Sequence, residues 1–128
     1  MEADISGHQR KVVASEVRPA RAAHGRSGIT LKGGRSLPFI VTRKWNAPAG
    51  NYQEQWFLVE PDSREVLFEG PVREVLVFGL QSLTEAADVV NEPVALSPGT
   101  YLIVFALGGI MGGQIEVEAS EPPAEEAA

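Results

Sequence analysis

The stretch that most restricts how this chain can fold is Leu96 to Val117, LSPGTYLIVFALGGIMGGQIEV, the most apolar run in the sequence and one flanked by turn residues. In Ser97-Pro98-Gly99 the proline sets φ for the first corner of a turn and the glycine accepts positive φ at the next. Thr100 to Leu107 is rich in aromatic and β-branched residues and too short, between Gly99 and Gly108, for a core helix, so it reads as a strand. The glycines turn the chain back. Gln114 to Glu118 then alternates, with Ile115 and Val117 on one face and Glu116 and Glu118 on the other, the pattern of a strand with one solvated side. The region is a hairpin, and whatever packs on it must supply a second apolar layer.

The rest of the chain repeats that grammar. Ile29 to Lys32 is a short strand ended by Gly33-Gly34. Leu37 to Trp45 follows, with Phe39, Val41 and Trp45 on one face and Ile40, Thr42 and Lys44 on the other. Asn46 to Gly50 breaks it, and Tyr52 to Glu60 pairs across Pro61-Asp62-Ser63 with Glu65 to Glu69, where Val66 and Phe68 are read as inward. Val72 to Leu80 alternates Glu74, Leu76, Phe78 and Leu80 against Arg73, Val75 and Val77. Gln81 to Asn91 is read either as one capped helical turn through Glu85 to Asp88 or as a loop crossing between sheets. Glu92 to Leu96 is read as a short edge strand.

Seven to nine short strands with turn signals every 8 to 12 residues and almost no helix predict an all-β fold, a single antiparallel β-sandwich of immunoglobulin-like or jelly-roll-like type. Leu96-Ser-Pro-Gly99-Thr-Tyr101 resembles the tyrosine corner of immunoglobulin-like sandwiches, which implies a Tyr101 hydroxyl bonded back across the preceding turn. Trp56, in mid-strand, takes the role of the large core aromatic. With 128 residues the chain can bury about two thirds of its unfolded surface without staples, and its lack of cysteine excludes disulfides, thiol catalysis and Cys-based metal sites.

Charge divides the chain. Residues 1 to 44 hold nine of the eleven basic residues against three acids, a balance of +6, and the remainder balances at −12. The expected organisation is a basic N-terminal arm over 1–27, a body over 28–119 and an acidic, disordered tail over 120–128. Within the arm, Lys11 to Val17 reads as one strand, either added to a neighbour's sheet edge or serving as the first strand of its own domain. The N-terminus has no secretion signal and the longest apolar run is about a dozen residues, so no membrane span is expected and a cytoplasmic or virion-associated protein is.

Chemistry is hard to place. His8 and His24 lie in the arm, where a general base cannot be held in register with a nucleophile. No histidine pair has ligand spacing, and Asp62 to Glu65 lacks the oxygens of a calcium loop. Glu65, Glu69 and Glu74 form a candidate acidic cluster, read as a solvated face because nothing beside them resembles a pocket. Gly108 to Gly113 lacks the Lys-Ser/Thr and the helix of a phosphate loop. No catalytic residue, cofactor or metal site is expected.

Two features suggest assembly instead. Leu102, Val104 and Ala106 make the second face of their strand apolar as well, which calls for a cover from within the chain or from another subunit. The basic residues Arg10, Lys11, Arg18, Arg21 and Arg26 offer contacts to an acidic neighbour, and Ile110 and Met111, flanked by glycines at a hairpin tip, offer apolar ones. The expected function is that of a non-enzymatic structural or assembly protein with a protein partner, as a homo-oligomer or in a larger complex. Two alternatives stand beside it: a small-ligand sandwich with a cavity rimmed by Trp45, Tyr52 or Trp56, and a nucleic-acid accessory protein using the arm, against which the acidic body argues.

Overall fold

The computed structural model describes residues 9–21 and 27–122, which form ten strands: β1 (Lys11–Pro19), β2 (Ile29–Lys32), β3 (Arg35–Ser36), β4 (Phe39–Asn46), β5 (Gly50–Val59), β6 (Val66–Glu69), β7 (Arg73–Val77), β8 (Thr84–Val90), β9 (Gly99–Leu107) and β10 (Ile110–Ser120). No helix occurs among the described residues. The strands make a three-stranded sheet, β1-β4-β8, and a seven-stranded sheet, β3-β2-β10-β9-β5-β6, in which β7 follows β6 along the same side of β5. Pairing is antiparallel except where β10 meets β2.

Period-two alternation puts the apolar set of each strand in one core. Phe39, Val41 and Trp45 of β4 are buried together with Trp56 and Leu58 of β5 and Tyr101, Ile103, Phe105 and Leu107 of β9. Burial of each such side chain contributes about 1.5–3 kcal/mol. Two glycines make room for the tryptophans. A Cβ on Gly112 would stand 2.3 Å from the Trp45 ring, and one on Gly70 would stand 2.4 Å from that of Trp56.

The apolar hairpin forms but turns earlier than its sequence predicts: β9 and β10 are joined by Gly108 and Gly109 at φ of 61° and 80°, conformations that favour glycine, and Ile110 and Met111, read as the hairpin tip, already pair with Leu107 and Ala106. At the other end of β9 the Tyr101 hydroxyl donates to the Ser97 carbonyl at 2.7 Å, the bond that the resemblance to a tyrosine corner implies. Leu102 is buried and Val104 and Ala106 are half-buried on the second face of β9, between Phe57 and Val59 of β5 and Gln114 and Glu116 of β10.

Four expectations change. The arm drawn over 1–27 loses Lys11–Pro19, which takes the second of its two readings: it pairs along its length with β4 as the first strand of the body. Gln81 to Asn91 contains neither a helical turn nor a loop crossing but β8, whose Thr84–Val90 lies against Trp45–Phe39. Glu92 to Leu96 is no strand: it makes one bridge, Ala95 to Arg35, because its other bonds go to the β2–β3 turn and to Ser36. Val66 is exposed rather than inward, because a register shift between Leu58 and Val59 leaves Phe68 to face Trp56, ring centres 5.8 Å apart.

Tyr101→Phe is expected to lower unfolding stability by about 1 kcal/mol, with an unchanged denaturant slope in urea titration. Equal midpoints for the two proteins would show that the Ser97 bond stabilises nothing.

Candidate functional site

Three strands carry a charge on the inward phase of an otherwise apolar face. Arg43 lies between Val41 and Trp45 on β4, Glu54 two residues before Trp56 on β5, and Asp88 between Ala86 and Val90 on β8; all three are buried. Leaving a charge there without partners would cost several kcal/mol, so the partners decide whether the site stands.

They are complete. The Arg43 guanidinium donates from Nε to Glu54 Oε2 at 2.6 Å and from Nη2 to Glu54 Oε1 at 2.5 Å, a two-pronged fork. Nη2 also donates to Asp88 Oδ2 at 2.8 Å, and Nη1 to the Val41 carbonyl at 3.1 Å. The two buried indoles finish the carboxylates, Trp45 Nε1 donating to Glu54 Oε2 at 2.8 Å and Trp56 Nε1 to Asp88 Oδ2 at 2.9 Å. Arg73, at the start of β7, reaches Asp88 Oδ1 from the solvent side. Two cations face two anions, and the contacts of Arg43 and Trp45 with Glu54, and of Trp56 and Arg73 with Asp88, all cross from one sheet to the other.

Burial by itself raises the pKa of Asp88, but the hydrogen bonds from Arg73 and Trp56 and the charge of Arg43 outweigh it and hold the group below its ordinary value. Burial likewise works against the charge of Arg43, and its bonds to Glu54 together with the charges of Glu54 and Asp88 keep it above its ordinary value. The cluster is neutral as a whole, saturated and closed. Neither carboxylate has the exposure to meet a substrate.

The residues singled out from the sequence sit elsewhere and do not converge. Arg10 is turned inward: its Nη1 donates to the Leu107 carbonyl at 3.0 Å, its guanidinium lies 4.8 Å from the centre of the Tyr52 ring, and its buried Nε has no partner. Arg18, half-buried on β1, approaches Glu16 at 3.8 Å, whereas Lys11 and Arg21 are exposed. Arg26, His8 and His24, and the tail beyond residue 122, lie outside the described residues. Glu65, Glu69 and Glu74 are all exposed, and no group of three or more His, Cys, Asp or Glu among the described residues is placed to hold a metal. An open cleft of about 440 Å³ lies between β1 and β10, lined by Ser15, Glu16, Ile115 and Glu116 among others and far in character from an aromatic ligand pocket. Trp45 and Trp56 are buried core residues.

Ile110 and Met111 are exposed at the start of β10, and the structure adds company that the sequence reading did not name. The β4–β5, β7–β8 and β9–β10 connections gather at one end of the sheets. Asn46 Nδ2 donates to the Leu80 carbonyl at 2.7 Å, the Gly108 amide donates to the Gln53 carbonyl at 2.7 Å, and Gly112 lies on Trp45, itself opposite Thr84. On the β7–β8 connection Phe78 is 75% exposed, Leu83 55% and Leu80 41%, and at the start of β10 Met111 is 56% exposed. The alternation of Val72 to Leu80 carried the signal: Phe78 and Leu80 share the phase of the exposed Glu74 and Leu76, opposite the buried Val75 and Val77.

No protein-family model matches the chain, and no curated protein matches it. Among solved structures, alkylpurine DNA glycosylase AlkC from Pseudomonas fluorescens, bound to DNA containing an abasic-site analogue, is similar at a TM-score of 0.51 and 11% identity, over 88% of this chain and 30% of that one. A β-glucosidase from Listeria innocua in complex with isofagomine is similar at 0.45 and 16% identity, over 84% of this chain and 16% of that one. The chain thus spans less than a third of either protein, and the first likeness is one of fold.

Arg43→Met is expected to lower stability by about 3–5 kcal/mol, since it strands Glu54 in the core, and adding Glu54→Leu is expected to restore at least half of the loss. A double variant no more stable than the single one would show that packing, not charge, governs the site. Because the pKa of Asp88 is depressed on folding, its contribution is full above the ordinary aspartate value of 3.8 and fades as pH falls through the lower folded value. Unfolding midpoints measured downward from about pH 5 should therefore fall more steeply for the wild type than for Asp88→Asn; parallel curves would contradict this.

Proposed function

We propose that the chain is a non-enzymatic β-sandwich of immunoglobulin-like build whose role is to pack against another protein, in the first instance a second copy of itself, through the loop end that carries Phe78, Leu80, Leu83, Ile110 and Met111. The observation that carries this reading is the concentration of large, exposed apolar side chains on the β7–β8 connection and at the adjoining start of β10, while Arg43, Glu54 and Asp88 in the interior are spent on one another and on Arg73. The order β1-β4-β8 against β2-β10-β9-β5, the Tyr101–Ser97 bond and the buried Trp56 support the immunoglobulin-like assignment.

The enclosure of Glu54 and Asp88 favours a binding role over catalysis. Basic residues keep a lesser part: Lys11 and Arg21, exposed on and after β1, add salt-sensitive attraction for an acidic neighbour, whereas Arg10 serves the fold. A ligand-binding reading is weaker because Trp45 and Trp56 are buried in the core. Lack of cysteine agrees with a reducing, cytoplasmic setting. No helix among the described residues is long and apolar enough to cross a membrane.

Light scattering of the full chain over a range of concentrations tests the reading. The wild type should show a defined oligomer, and the triple variant Phe78→Ser, Leu83→Ser, Met111→Ser should fall to the mass of one chain with its unfolding midpoint nearly unchanged. A wild type that stays at the mass of one chain at every concentration would end the self-packing form of the proposal.

A further inference from the structure

The two ends of the three-stranded sheet are finished differently. The Ala20 amide donates to the Pro38 carbonyl at 2.9 Å, so Pro38 and every second residue after it direct their main-chain groups to β1, and Phe39, Val41, Arg43 and Trp45 direct theirs to β8. Their register partners on β8 are Val90, Asp88, Ala86 and Thr84. The amides and carbonyls of Glu85, Ala87 and Val89 therefore point away from the sheet. On β1 the same alternation turns Val17 outward, and there the Gly28 amide meets its carbonyl at 2.7 Å on the way into β2. At Val17 the β1 edge is met by the chain itself. The β8 edge is covered by one side chain, for Arg73 Nη2 donates to the Ala87 carbonyl at 3.1 Å while holding Asp88.

An unpaired strand edge is a template for another strand unless something blunts it, and charge at the edge is a common means. This edge carries no proline or lysine, and its outward side chains are Glu85, Ala87 and Val89. Laid antiparallel on a second copy of itself about Ala87, it places Ala87 opposite Ala87 and Glu85 opposite Val89. No like charges face each other and the smallest side chain sits at the centre. The central pair exchanges two hydrogen bonds and needs the Ala87 carbonyl from both copies. That carbonyl is the one Arg73 engages.

We propose that the free edge of β8 is a latent strand-addition site for β8 of a second copy, and that Arg73 is the guard that masks it. The Arg73 side chain, 42% exposed, bridges an edge strand of one sheet to an edge strand of the other, so one residue both closes the open side of the core and occupies the central acceptor of the edge. The site is separate from the loop end, and association through either does not require the other.

The test is made in the full chain carrying Phe78→Ser, Leu83→Ser and Met111→Ser, so that association through the loops is absent and the two ideas fail separately. Adding Arg73→Ala should about double the weight-average mass with rising concentration, by pairing of two copies, and should slow amide exchange at Glu85, Ala87 and Val89. Adding Ala87→Lys to that protein puts a charge on the edge without restoring the ion pair, and should return the mass to that of its parent. Arg73→Gln, which keeps an amide donor beside Asp88, carries the same comparison if the alanine variant does not fold. An unchanged mass in the folded Arg73 variants would overturn the proposal, as would a rise that Ala87→Lys does not reverse, since exposed core rather than the strand edge would then be the cause.

Discussion

Everything in this body depends on Arg43 finding Glu54 and Asp88 at once. The guanidinium lies on the middle strand of the smaller sheet, and its fork closes on a carboxylate of the opposite sheet within 2.5–2.6 Å. Replacing such a buried set with apolar residues of similar volume is often neutral or better for stability, so its main effect is to narrow the alternatives. Because strands have period two, a slip of one residue in the pairing of β4 with β8 would send Asp88 to solvent and leave Arg43 with one carboxylate instead of two. A sheet pair held by apolar contacts alone tolerates such slips more readily. In a chain without cysteine, the polar contacts across the core do the registering that a cross-sheet disulfide can do elsewhere.

The same cluster explains what the sequence could and could not disclose. The β9–β10 hairpin, the breaks at glycine and proline, and the Tyr101 corner are local, and local rules describe them. β8 was not legible because its inward positions read Ala86, Asp88, Val90: a charge in the middle of the buried face hides the alternation, and two alanines beside Glu85 imitate a helical turn. Yet the interruptions were themselves a pattern. Arg43 falls on the Val41–Trp45 phase and Glu54 on the Trp56–Leu58 phase, and three opposed charges on three apolar faces predict a buried network once the faces are set against each other. What sequence does not state is which strands face, and so which charges meet.

The ambiguity of the N-terminal segment, which reads both as an arm and as a first strand, has a different cause. Its basic composition and weak apolarity suit an arm, but Val17 is buried, Arg10 is folded over Tyr52 onto the Leu107 carbonyl, and Thr42 reaches the Glu16 carbonyl. Pairing with β4 satisfies the main chain of β1 whatever its side chains are, and a strand held through its backbone needs little apolar signature. Net charge describes where a segment's side chains are comfortable, and that is a weak guide to where its peptide groups go.

These placements bear on how the molecule can associate at all. A two-sheet body offers a partner either its strand edges or its loops, and the edges are the less selective of the two because main-chain pairing accepts many sequences. Here one edge of the smaller sheet runs into Gly28 and β2, and the other is bridged by Arg73. Phe78, Leu80 and Leu83, by contrast, are carried on the connection between β7 and β8, where their identity can change without disturbing either sheet. Both edges of the smaller sheet are thus engaged at one point, Val17 on β1 and Ala87 on β8, and in the reading proposed above the loop end is left to select a partner by shape, apart from the strand pairing that would admit any extended chain.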